Sequence, residues 1–140
     1  MINPEVKSVL NKVDELLEPD LHDAKLLMLK NNDEDLIITF ELYSKEIVQV
    51  SFEGLAEFIC NAFGSQNIVL DMTIDTKHLV SARDLEKSPA MLEKHDALIS
   101  RLQEKILQGK YCYVEINPSC GCEAYILCQS VKFVSVEKQV

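Results

Sequence analysis

Four of the five cysteines, Cys112, Cys120, Cys122 and Cys128, fall within seventeen residues. Four thiolates can hold zinc tetrahedrally. The Cys120-Gly121-Cys122 turn could also bring two thiols close enough to bind a soft metal or form a strained disulfide. The spacing argues against a four-ligand centre, because it lacks paired C-x-x-C knuckles. Strand alternation turns Cys112 and Cys128 inward beside Val114 and Ile126, at the far end of the hairpin from that turn. At ~3.3 Å per residue the separation is roughly 20 Å, too far for one ion. A buried free cysteine then serves as a small apolar side chain, and Cys60 reads the same way. The reading is therefore no resident metal or cofactor, with Cys120 and Cys122 as the alternative ligand or thiol pair.

The three histidines offer little chemistry. His22 and His95 each precede an aspartate, but the further histidine and aspartate ligands of an HD-type phosphohydrolase are missing. His95 lies on an apolar stripe, and His78 lies in a polar stretch with no visible partner. No G-x-S-x-G elbow, phosphate-binding loop or dinucleotide fingerprint occurs. A cysteine nucleophile in a surface turn would sit where water is hard to exclude. The expectation is a protein that is not an enzyme.

The charge balance is more informative. Lys and Arg total 14 against 23 Asp and Glu, a net charge of −9. Nucleic-acid binding needs clustered cations, and an anionic membrane would repel this chain, so neither is expected. A basic protein partner is favoured instead. The exposed acids and aromatic expected to meet it are Asp33, Glu34, Asp35, Glu41, Tyr43, Asp71 and Asp75. The N-terminal residues lack the apolar core of a signal peptide, and an odd cysteine count does not fit a secreted disulfide scaffold. A reduced, cytoplasmic setting is expected.

These residues must be positioned by a small number of elements. Leu36, Ile38, Phe40 and Leu42 alternate with Ile37, Thr39, Glu41 and Tyr43, and Val48, Val50 and Phe52 alternate with Gln49, Ser51 and Glu53. Period-two alternation with a short polar join predicts an antiparallel hairpin. Further strands are predicted at 23–30, 67–74, 111–116 and from 123 onward, with a β-bulge near Gln129-Ser130 to correct the parity between Cys128 and Val131. Helical spacing of Val6, Val9, Leu10, Val13, Leu16 and Leu17 predicts a helix over 4–17, capped by Asn3. Leu55, Phe58, Ile59, Ala62 and Phe63 fit a short helix closed by Gly64. Ser88 and Pro89 open a longer helix near residues 89–108, closed by Gly109, and 75–87 reads as a polar loop. The expected class is one α+β domain spanning 1–140, with a mainly antiparallel sheet of five to six strands.

The segments LHDAKLLMLKNNDEDLIITFEL, IVQVSFEGLAEF and NIVLDMTI resemble small bacterial α+β proteins, several of which look like immunity proteins of polymorphic toxin systems. The matching features are His22-Asp23-Ala24 opening a strand, Phe52-Glu53-Gly54-Leu55 at the end of a hairpin, and Gly121-Cys122 in a late turn. The resemblance implies a binding protein that neutralises a basic toxin. Asp23 would then cap backbone N–H groups or the neighbouring helix, His22 would hydrogen-bond across the sheet edge, and Gly54 would supply a backbone conformation closed to other residues. Two other readings stand beside it: a metal- or thiol-dependent function at Cys120 and Cys122, and a homodimer formed through a free sheet edge.

Overall fold

The computed structural model describes residues 9–10, 16–75, 104, 105, 108 and 111–136. Ten strands occur among them. In chain order they are β1 (Val9–Leu10), β2 (Leu16–Glu18), β3 (Lys25–Asn32), β4 (Asp35–Glu41), β5 (Ile47–Glu53), β6 (Glu57–Asn61), β7 (Ile68–Asp75), β8 (Cys112–Cys120), β9 (Glu123–Cys128) and β10 (Ser130–Val136). β1 and β2 form a small ribbon of their own. The other eight strands form one antiparallel sheet in the order β10-β5-β4-β3-β7-β8-β9-β6.

The alternating runs build the centre of this sheet. Leu36, Ile38 and Phe40 of β4 stand opposite Phe52, Val50 and Val48 of β5, and all six are buried to within 1%. Each such side chain contributes about 1.5–3 kcal/mol by leaving water. Gln49 and Ser51 lie between them on the opposite, part-exposed side of β5, because successive residues of a strand point to opposite sides, whereas Thr39 of β4 is itself buried. Two tight turns bound β4. Asp33 turns from β3 into β4 with a left-handed backbone (φ 56°). Tyr43-Ser44-Lys45 joins β4 to β5, with Lys45 in the same region (φ 75°) and its N–H donated to the Leu42 carbonyl. A three-residue hairpin loop needs such a residue at its last position.

The sheet closes on itself. β5 runs through a kink at Gly54 (φ 65°) into β6, and β9 runs through Gln129 into β10. The two bent strands pair along their lengths, β10 with β5 and β9 with β6. Across the kink, Gln129 N–H donates to the Glu53 carbonyl and Ala56 N–H to the Leu127 carbonyl. The ladder therefore runs from β9 through β8, β7, β3, β4 and β5 back to β10, forming a barrel filled by Leu36, Phe40, Val50, Phe52, Met72, Val114, Ile116 and Ile126.

The seam between β3 and β7 is the weakest part of this circuit. It holds a single register pair, Lys25 opposite Ile68, with short backbone hydrogen bonds at residues 23–26 against 67–69.

These findings correct the α+β expectation: the described residues form an all-β fold with eight strands in its main sheet. Of the predicted 4–17 helix, the described residues 9–10 and 16–17 lie instead in the β1–β2 ribbon, in which Val9 pairs with Glu18 and Leu10 with Leu16, and the remainder lies outside the described residues. The predicted 55–63 helix is strand β6, held along its length by β9. The longer helix lies outside the described residues except at Glu104 and Lys105, which are helical, and Gln108. His78, His95 and the polar loop beyond Asp75 also lie outside them. The parity slip expected at Gln129-Ser130 falls where β9 ends and β10 begins, as the chain exchanges β8 and β6 for β5.

Candidate functional site

The acids expected to form one binding face are spread over the barrel. Asp33, Glu34 and Asp35 sit at one end of β4, and Glu41 and Tyr43 at the other, roughly 20 Å away. Several have structural partners. The Asp35 carboxylate accepts the Gly54 N–H at 3.3 Å, and Asp71 accepts the Asn117 side-chain N–H at 2.7 Å. Glu41 lies 4.0 Å from Lys45. Asp75 closes β7 opposite Tyr113. Asp33 and Glu34 are exposed on the β3–β4 turn, and Tyr43 is 81% exposed.

The residues near the first strand behave as local ties. His22 Nδ1 lies 3.0 Å from the Leu70 carbonyl on β7, and the His22 backbone N–H donates to the Asp20 carboxylate. That carbonyl, followed by the neighbouring Asp23 carboxylate, pushes the exposed imidazole above its ordinary pKa. His22 thus reaches across to the edge of β7, the contact expected of it in the resemblance. Asp23 itself takes a left-handed backbone (φ 63°).

The cysteines regroup in a way the sequence did not disclose. Cys120, at the end of β8, is exposed, whereas Cys122, past the Gly121 turn, is 3% exposed. The Cys122 sulfur lies 2.7 Å from Cys60 Sγ on β6. Cys112 and Cys128 stand directly opposite each other on β8 and β9, with sulfurs 3.6 Å apart and both buried. Four cysteines thus form two pairs. Among the described residues no group of three or more His, Cys, Asp or Glu side chains is placed to hold a metal ion.

Asn67 fixes the turn that carries Cys122. It is buried, and its Oδ1 accepts N–H groups from Gly64 and Cys122 while its Nδ2 donates to the Gly64 carbonyl. Gly121 (φ 81°) passes so close to this loop that a Cβ there would lie 2.2 Å from the Gln66 carbonyl oxygen.

Sequence reasoning overlooked one surface. β3 extends beyond its short seam with β7, so residues 27–32 have no strand partner on that side among the described residues. The β3–β4 register slips between Leu26 and Met28. Leu27 and Met28 are 48% and 52% exposed. A groove of about 260 Å³ opens beside them where the strands part, lined by Lys25, Leu26, Leu27, Ser65, Gln66, Asn67 and Ile68. The signal lay in the run Leu26-Leu27-Met28-Leu29, whose continuous apolar character exceeds what one buried face requires.

No described helix is long and apolar enough to cross a membrane. Comparison with known proteins finds no matching family, enzyme families included, no curated relative and no matching solved structure.

Proposed function

We propose that this chain is a non-enzymatic, cytoplasmic protein-binding domain that receives an extended basic segment of its partner along the open edge of β3. The observation that carries this reading is the run 27–32, paired with β4 on one side and without a strand partner on the other among the described residues, with Leu27 and Met28 exposed beside a groove. A strand added there gains main-chain hydrogen bonds from the edge and side-chain contacts from alternate pockets. Exposed apolar side chains on an otherwise hydrated surface mark contact sites. The net charge of −9, with Asp33 and Glu34 at the end of the edge, favours a cationic partner and speeds its approach. A basic toxin neutralised by an immunity-type protein is a partner of this kind. Lys30, on the same strand, discourages indiscriminate edge pairing.

The test is capture in native cells with a photo-cross-linking residue at position 27, at low and high salt. The expected result is a basic protein linked at this position, lost at high salt, and bound at least 10-fold more weakly by the Leu27→Lys/Met28→Lys double variant. Equal binding by that variant, or capture of no protein at all, overturns the reading. Linkage to a second copy of the chain, with doubled mass by light scattering, replaces it with the homodimer.

A further inference from the structure

Cys60 on β6 and Cys122 in the β8–β9 turn are 62 positions apart in sequence, yet their sulfurs lie 2.7 Å apart. That is a closer approach than the 3.6 Å between Cys112 and Cys128. A disulfide bond is about 2.05 Å long, so the Cys60 and Cys122 sulfurs need to move by well under an ångström to bond. The surrounding strands hold them there. Cys60 stands opposite Ala124 in the β6–β9 ladder, and Asn67 Oδ1 holds the backbone N–H of Cys122 at 3.0 Å.

Access differs between the two sulfurs in a way that orders a reaction. Cys60 is half-buried at the rim, whereas Cys122 is buried in the core. Cys112 and Cys128 are both buried, and so less open than Cys60 to a reagent from solution.

We propose that Cys60 and Cys122 form a reversible dithiol–disulfide site, with Cys60 as the attacking thiol and Cys122 as the resolving thiol, exchanging with low-molecular-weight disulfides. The Cys60 thiolate attacks one sulfur of glutathione disulfide, breaking its S–S bond and releasing one glutathione thiolate. Cys122 then gives up its proton and attacks the Cys60 sulfur of the mixed disulfide, releasing the second glutathione. Two protein thiols are oxidised by two electrons, one glutathione disulfide is reduced to two thiols, and the two protein protons end on those thiols. The hydrogen bond from Cys122 lowers the pKa of Cys60, and the same contact together with burial raises that of Cys122. Both directions suit these roles, since the thiolate is the nucleophile.

The oxidised form ties β6 to the β8–β9 turn and removes the freedom of a long loop from the unfolded chain. Its Tm is expected to exceed that of the reduced protein by about 5–10 °C.

The test equilibrates the folded full-length chain in glutathione buffers of graded ratio, traps free thiols by alkylation and maps the products by mass spectrometry. The Cys120→Ser variant is run in parallel, because Cys120 is also exposed. Supporting results are a Cys60–Cys122 linked peptide that forms in both proteins and reverts in excess glutathione, and a Cys122→Ser protein that stops at a glutathione adduct on Cys60. Complete alkylation of both thiols in excess glutathione disulfide overturns the proposal. So does linkage of Cys122 to Cys120, or linkage of Cys112 to Cys128 while Cys60 stays free. The wild-type measurement stands alone if a variant fails to fold.

Discussion

Asn67 Oδ1 accepts the backbone N–H of Cys122 at 3.0 Å, joining the loop before β7 to the turn before β9. The same side chain closes two hydrogen bonds with the Gly64 backbone. Replacing it by alanine strands the buried Cys122 N–H, whose desolvation is no longer compensated. Asn67→Ala is expected to cost about 2–3 kcal/mol, read from urea unfolding as a lower midpoint with an unchanged slope.

Backbone conformation supplies a pair of opposite expectations. A Cβ at Gly121 would meet the Gln66 carbonyl oxygen at 2.2 Å and the Asn67 carboxamide at 2.6 Å. Because the Gln66 oxygen is backbone and the Asn67 amide is held by its hydrogen bonds to Gly64 and Cys122, Gly121→Ala is expected to cost at least about 3 kcal/mol. Ala62 presents the converse case, an alanine held at φ 60°. Ala62→Gly relieves that strain and is expected to stabilise by about 1 kcal/mol. Thermal melts of the two variants should move in opposite directions.

Glu115 gives the fold a pH dependence. Burial is the main cause of its raised pKa, and the nearby Asp71 and Glu123 carboxylates add to it. The folded state therefore holds this proton more tightly than the unfolded chain does. Its favourable contribution is complete below the unfolded value of 4.5 and is lost as pH rises through the higher folded value. Glu115→Gln should accordingly be modestly more stable than wild type at pH 7, with the gain disappearing below about pH 4. Unfolding midpoints at pH 4, 5.5 and 7 check the sign; an equal difference at every pH would contradict it.

The closing strand can be weighed separately. Phe133 is 5% exposed and stands opposite Val50 in the β10–β5 ladder. Phe133→Ala should cost about 3–5 kcal/mol. It should also raise hydrogen exchange in β10 and β5 more than in the β8–β9 hairpin, measured amide by amide.

Where a side-chain pattern and a ladder agree, the fold was legible. Leu36, Ile38 and Phe40, with Val48, Val50 and Phe52, recur at every second position and are all buried in the barrel core. Short stretches with helical spacing misled. Val9, Leu10 and Leu16 satisfy both a helical stripe and a two-strand ribbon, and local pairing with Leu16–Glu18 decided between them. Residues 57–61 became a strand because β9 offers five consecutive partners, a tertiary effect absent from their own sequence. The Cys60–Cys122 contact was hidden for the same reason, since it exists only once β6 lies against β9. The acidic face was read from exposure alone, and exposure does not reveal that Asp35 and Asp71 are committed to Gly54 and Asn117.

The pairing of β10 with β5 has a consequence for how the chain is made. β5 emerges from the ribosome long before its second neighbour exists, so Val48, Val50 and Phe52 wait with one side of their strand unpaired until residues 130–136 are synthesised. Only then is the ring complete. A nascent chain stalled before that point would carry an apolar, half-paired strand, the form of intermediate most prone to associate with its neighbours. Holdase chaperones should therefore bind ribosome-held chains that stop short of Ser130 and release those that extend past Val136.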